Sequence, residues 1–270
     1  MSAPTNGGPT GAAPADDFPH RLTRSVLINA GRDTVFRFFT DSAAFASWWG
    51  AGSSIDARPG GAVLICYPNA VIASGTVVSI VPAERIVFTY GYEGARHGLP
   101  PGASRVTIEL REAEGGTEVR LHHDFADPKL RDMHDAGWRY QLSVFANVAS
   151  RVQHARATQL VDRWFAAWNE TRAIERRALL EDLVEPHIRF RDGYAAIAGI
   201  DDLDSHIAAS HVHMSGVVLS RASDPRQCQG ALLVDWTATR PDGQPVGRGT
   251  NYVRFSPRAC IGEVVGFWAA

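Results

Sequence analysis

At 270 residues, 45% of them apolar and 21% charged, the chain has the composition of a globular protein long enough for two ordinary domains. A formal net charge of −2, with no Lys/Arg run, argues against nucleic-acid and anionic-membrane partners, which need a concentrated basic face. The cysteines Cys66, Cys228 and Cys260 lie far apart, form neither a disulfide framework nor a C-x-x-C motif, and each reads as a small buried apolar residue.

Residues 1–19 are rich in Ala, Pro, Gly and Thr and lack the basic start and apolar run of a secretion signal. They read as a disordered tail. No later segment has the unbroken apolar length of a membrane span, so a cytoplasmic location is expected. Lys129 is the only lysine, and the arginine- and alanine-rich composition is that of a GC-rich bacterial genome.

Regular structure is predicted from Arg21. A strand over 21–30 leads into a short helix carrying Val35, Phe36, Phe38 and Phe39, with Asp33 as its cap. Asp41-Ser42 starts a second helix that ends at Trp48-Trp49-Gly50. Strands are predicted over 62–67, 72–81, 85–92, 104–111 and 117–125, with Gly115-Gly116 as the hairpin turn before the last. A long helix over 130–152 follows, with Met133, Trp138, Tyr140, Gln141, Val144, Phe145 and Val148 on or near one side. Alternation puts Val106, Ile108 and Leu110 on one strand face, and likewise Val119, Leu121, His123 and Phe125, with Glu118, Arg120, His122 and Asp124 opposite. A sheet curved round such a helix encloses a cavity.

Several motifs occur here in order: Phe39-Thr40-Asp41, Trp48-Trp49-Gly50, Arg58-Pro59-Gly60-Gly61, Pro82 through Tyr90, Gly116-Thr117, and His134 with Gly137-Trp138. Over residues 20–153 the chain resembles the activator of heat-shock protein 90 ATPase homologues, within the START/Bet v 1-like (SRPBCC) superfamily. The resemblance implies a helix-grip fold round a hydrophobic cavity, with Trp49, Tyr90, Val106, Ile108, Leu121, His123, Trp138 and Gln141 as its ligand-facing residues. His123 reads as a polar ligand contact or as a satisfied core residue.

The second half opens with a helix carrying Leu160, Val161, Trp164, Phe165 and Trp168, and a second with Ile174, Leu179, Leu180 and Leu183. A strand over 187–192 precedes a third helix begun at Gly199-Ile200-Asp201-Asp202. Strands over 217–221, 230–239, 246–255 and 262–268 complete a cone, with Asp242-Gly243 as a hairpin turn. Arg163 through Asn169, Phe190-Arg191-Asp192, Gly199 through Leu203, Trp236, Asp242-Gly243 and Val264 through Phe267 carry a resemblance, over 154–270, to the nuclear transport factor 2-like (SnoaL-like) family. The fold class expected is therefore α+β: a helix-grip domain followed by a cone-shaped α+β barrel.

In that cone Ile188, Phe190 and Asp192 share a strand face, as do Gly249, Asn251, Val253 and Phe255 on a later strand. Phe190 and Val253 are expected to line a pocket. A carboxylate facing an apolar cone is desolvated and becomes a stronger base when ionised, and an amide opposite it can hydrogen-bond a developing oxyanion. Asp192, Trp164 and Asn251 fall where ketosteroid-isomerase-like members of the family hold their base and two acidic donors, which implies Asp192 as base with weaker indole and amide donors. Cyclase or hydratase chemistry of the polyketide-cyclase kind fits that set better than steroid isomerisation. The structural alternatives are that Asp192 caps a turn, Trp164 is core and Asn251 ties down backbone.

Asp235 alternates with Val234 and Trp236 and is expected on the outer face. His206, His211 and His213, and His122-His123-Asp124, lack the converging ligands that zinc needs. No phosphate loop, nucleophile elbow or dinucleotide fingerprint occurs, so neither metal nor other cofactor is expected. Three functions remain: binding of a small hydrophobic or aromatic molecule, a cyclase or isomerase based on Asp192, and an interaction module pairing as a homodimer through the second sheet, with Trp236 and Tyr252 in the contact.

Overall fold

The computed structural model describes residues 17–269. Residues 1–16 of the tail expected over 1–19 lie outside them. The protein is α+β, with two mixed layers of helix and sheet. Contacts divide it into two compact units. The first holds residues 17–26, Phe36–Leu110 and Val119–Ser143; the second holds Leu27–Val35, Arg111–Glu118 and the chain from Val144 onward.

The first sheet comprises β1 (His20–Ile28), β2 (Ser54–Ile55), β3 (Ala62–Cys66), β4 (Ile72–Val81), β5 (Arg85–Tyr92), β6 (Ser104–Ala113) and β7 (Gly116–Phe125). Its order is β1-β7-β6-β5-β4-β3-β2, a meander whose first strand closes against the last. Helices α1 (Arg32–Arg37) and α2 (Ser42–Trp49) fill the gap between β1 and β2, and α3 (Pro128–Gln153) follows β7. Asp41 caps α2 by accepting from the Ala44 N–H at 2.8 Å. Gly115, at φ 85°, supplies the left-handed residue of the β6–β7 hairpin.

Burial follows the expected alternation: Val106, Ile108 and Leu110 on β6, and Val119, Leu121, His123 and Phe125 on β7, are all buried. Two expectations need correction. Met133 and Tyr140 stand 46% and 71% exposed, so the covering face of α3 runs instead through Trp138, Gln141 and Leu142. Asp124, expected outward with His122, is buried because Arg21 grips it with two hydrogen bonds of 2.6 and 3.0 Å.

In the second unit α4 (Ala157–Asn169), α5 (Ala173–Leu183) and α6 (Ile200–His213) pack on β8 (Val184–Arg191), β9 (Ala196–Ala198), β10 (Val218–Arg221), β11 (Arg226–Cys228), β12 (Ala231–Thr239), β13 (Pro245–Phe255) and β14 (Ile261–Trp268). Strand order is β10-β12-β13-β14-β8-β9, with β11 on β12. The pairing of β14 with β8 is parallel, and it brings the end of β8, at Arg191, beside Val265 of β14. On α5, Ile174 is 84% exposed and Arg176 takes an inward position, its guanidinium bonded to Asp204 at 2.6 Å. The cysteines are not buried as expected: Cys66 and Cys260 are half-buried and Cys228 is exposed. Among the described residues no helix is long and apolar enough to cross a membrane.

Candidate functional site

The inner face of the second sheet and helices α4 and α6 enclose a cavity of about 570 Å³, within the usual range for small-molecule sites, about 300–1,000 Å³. Trp164, Phe165 and Trp168 from α4, Phe190 from β8, Trp236 from β12 and Trp268 from β14 make its walls aromatic. Leu219 and Met214 add aliphatic surface. The polar lining is sparse: Asp192, Tyr194, Asn251, Ser210, His206 and His213.

Local sequence explains how these side chains converge. Trp164 and Trp168 are one helical turn apart and so share a face of α4, their rings meeting edge-on at 5.9 Å. Asn169, at the end of α4, locks β10 in place: it donates to the Leu219 carbonyl and accepts from the Leu219 N–H, both at 2.8 Å. His211 donates from Nε2 to the Trp168 carbonyl at 2.7 Å, pinning α6 to α4. His206 and His213, seven residues apart on α6, are left facing the cavity. Among the described residues no group of three or more His, Cys, Asp or Glu is placed to hold a metal.

Of the residues read from sequence, Asp192, Trp164, Asn251 and Phe190 are brought together at this cavity. Val253, expected to line the pocket, is fully buried and is not part of the lining. Asp192 is half-buried rather than sealed in. Its Oδ1 accepts from the backbone N–H groups of Tyr194 and Ala195 at 2.8 and 2.9 Å, and its Oδ2 accepts from the Trp268 indole at 3.2 Å. The residue therefore caps the turn after β8 and also faces the cavity. Asn251 is only 7% exposed, and no hydrogen bond to its side-chain amide is found among the described residues. Trp164 is 2% exposed and forms one wall. Asp235 lies on the outer face as alternation requires, accepting from Thr250 and Ser223; these bonds hold its carboxyl below the usual range.

Trp168, Trp236, Trp268, His206 and Gly266 were not singled out as site residues. Strand alternation on β14, which puts Val264, Gly266 and Trp268 on one face, is the signal that finds two of them. Trp236 faces the cavity, not an outer contact surface.

In the first unit the expected ligand-facing residues pack on one another. Trp49, Tyr90, Val106, Ile108, Leu121, Trp138, Gln141 and His123 are all buried. Trp138 and Trp49 meet edge-on at 5.6 Å, and Trp49 meets Tyr67 at 5.7 Å. Trp138 donates its indole N–H to His123 Nδ1 at 2.9 Å. That fixes the neutral tautomer with its proton on Nε2, which donates to Ser104 Oγ at 2.8 Å; Ser104 in turn donates to the Tyr90 carbonyl. Burial, with His134 nearby, pushes the His123 pKa well below 6.5. Gln141 donates to the Trp48 carbonyl, and the Tyr67 and Tyr90 hydroxyls bond each other at 2.8 Å. Burial raises both of those phenol pKa values.

The chain is similar to known proteins half by half. No curated protein matches it. Among solved structures, a proposed isomerase of the SnoaL-like family from Agrobacterium tumefaciens is 26% identical, covering 44% of this chain and 99% of that one, with a TM-score of 0.41. An AHSA1-like protein from Rhizobium etli is 30% identical, covering 48% of this chain and 81% of that one, with a TM-score of 0.39. The Aha1 dimer of Colwellia psychrerythraea is 14% identical over 45% of this chain and 90% of its own, with a TM-score of 0.39. Over residues 29–150 the chain matches the family of Activator of Hsp90 ATPase homolog 1-like proteins.

Proposed function

We propose that the second unit binds a small, mainly aromatic molecule in its cavity. The observation that carries this is Asn251: a residue 7% exposed, on the cavity wall, whose side-chain amide has no protein hydrogen-bond partner among the described residues. Leaving such a group unpaired costs about 1–3 kcal/mol, so only cavity water or a ligand can satisfy it. Aromatic walls supply the affinity of such a site and the few polar groups its orientation.

The test is native mass spectrometry of the protein purified from its own host, joined to tryptophan-quenching titrations with naphthalene-class probes. A retained small molecule, or saturable quenching that Ala209→Trp removes by filling the cavity, supports the reading. An empty protein with no saturable quenching overturns it.

A second reading is catalysis with Asp192 as general base. It is favoured by the open acceptor site on Oδ2, which is not filled by its one bond to Trp268, and by the Asn251 amide close by. A third is pairing of two copies through the outer face of the second sheet, where Leu233 and Phe267 are 37% and 58% exposed. Analytical ultracentrifugation of the protein and of Phe267→Glu tests that pairing: a monomer in both cases removes it.

A further inference from the structure

We propose that Gly266 is the specificity-determining position of this cavity: the side chain it lacks leaves open a lane in which one ligand hydroxyl reaches Asp192 and Asn251 together. The proposal rests on the cavity being a binding site, as argued above, and adds what that site selects.

Gly266 pairs with Asn251 across the β13–β14 ladder, and the parallel register of β14 with β8 brings Asp192 to its other side. A Cβ placed at Gly266 would lie 3.2 Å from the Asp192 Cβ and 3.4 Å from Asn251 Oδ1. Any side chain at this position stands between the two polar groups. No backbone contact demands glycine here; a Cβ would press only on the side chains of Asp192 and Asn251, both of which line the cavity. The Gly266 backbone is not in the left-handed region, and the nearest backbone atom to that Cβ is Arg191 O at 4.0 Å. Gly249, on the neighbouring strand, is the contrast: a Cβ there would strike the Phe267 carbonyl at 2.2 Å, so close packing dictates that glycine. At Gly266 the missing side chain serves space inside the cavity.

The chemistry of the two flanking groups states what fills that space. A carboxylate has about four acceptor sites. Tyr194 N, Ala195 N and the Trp268 indole take three, leaving one on Oδ2. The Asn251 amide keeps a donor and an acceptor end. The smallest group that gives a proton to the first while accepting one from the second is a hydroxyl. The ligand class is therefore a hydroxylated ring, a phenol or an enol. A bare hydrocarbon leaves both groups unpaired, and a carboxylate meets Asp192 with like charge.

Calorimetric titration of the full chain with 2-naphthol, 2-methylnaphthalene and 2-naphthoate tests this. The first two probes share one shape and differ in the hydroxyl. The native protein is expected to bind 2-naphthol about tenfold or more tightly than 2-methylnaphthalene, the effect of two ordinary hydrogen bonds, and 2-naphthoate least well. In Gly266→Ala that preference should shrink to within about twofold, while 2-methylnaphthalene affinity moves by less than about threefold. Asn251→Leu, which removes the amide without adding a wedge, should lose the same preference and keeps the test valid if the glycine variant does not fold. Equal binding of the two probes by the native protein overturns the proposal, as does a preference retained in both variants. If the native protein binds none of the three probes, the binding reading itself falls and takes this one with it. That result is distinct from binding without preference.

Discussion

Acidification should weaken the first unit through one histidine. His123 is fully buried, both ring nitrogens are engaged, and burial first and His134 second push its pKa well below 6.5. In the unfolded chain it titrates near its ordinary value. Below about pH 6.5 the unfolded state therefore takes up a proton that the folded state does not, and stability falls as pH falls. One such proton is worth about 1 kcal/mol between pH 6.5 and 5.5, and up to about 1.4 kcal/mol per further pH unit until the folded imidazole titrates. His122 is shifted the same way, chiefly by burial, and adds to the slope. Acidic groups held low by arginine, such as Asp132 and Asp135, lose their contribution only at lower pH, through the carboxylate range. Hydrogen exchange of the amides of β6 and β7, corrected for the intrinsic rate, isolates the region. Its opening free energy should drop by about 1 kcal/mol from pH 6.5 to 5.5 in the native protein, and by clearly less in His123→Gln, which cannot titrate. Identical pH slopes in the two proteins would refute the assignment.

Three further outcomes follow from the second unit. Asp192→Asn keeps an acceptor for Tyr194 and Ala195 but turns an amide donor toward the Trp268 indole; it should cost about 1 kcal/mol in denaturant unfolding and abolish any turnover. Turnover surviving in that variant removes Asp192 as the base. Asp204→Ala leaves the Arg176 guanidinium, 3% exposed, without its counter-charge, and should destabilise by about 2–4 kcal/mol, whereas a loss below about 0.5 kcal/mol means that the guanidinium is already satisfied by the Glu170 carbonyl at 3.2 Å. Gly249→Ala drives a methyl onto Trp236, whose ring carbon lies 2.7 Å from the built position, as well as onto the Phe267 carbonyl. It should lower the melting temperature by several degrees and shift tryptophan emission, and an unchanged melt contradicts that packing.

Period and punctuation made the fold legible wherever an element was long and one-sided. Alternation through Val119, Leu121 and His123 named the buried face of β7, and Asp41 marked its helix because a side-chain oxygen must meet an orphan N–H there. β2, β9 and β11, of two or three residues each, carry no period long enough to read. Helix α5 misled for a different reason. Ile174 looks like core and Arg176 like surface until Asp204, contributed by α6, supplies the partner that lets a guanidinium go inward. The site was half legible for the same cause. Asp192 and Asn251 stood out as polar residues on apolar faces, a local signal. Trp168, Trp236, Trp268 and His206 arrive from four different elements, and only the tertiary assembly, with its parallel β8–β14 pair, brings them to one cavity.

The two interiors differ in how they treat polar groups, and that difference is what supports the ligand site proposed for the second unit. In the first unit His123, Ser104, Tyr90, Tyr67 and Gln141 are bonded to protein, and the rings around them are in contact, from 3.9 Å for His123 and Phe125 to 5.6 Å for Trp49 and Trp138. Their potential is spent on fixing one packing arrangement, as buried networks do when every member is satisfied; Trp49, whose indole N–H finds no partner, is an exception. In the second unit a cavity persists between aromatic walls with an unpaired amide on its surface and a carboxylate keeping one acceptor site free. No backbone conformation requires glycine at position 266, and a Cβ there would press on the side chains of Asp192 and Asn251. The glycine holds open the space that separates two polar groups, which is the arrangement expected where a ligand, and not the protein itself, completes the core.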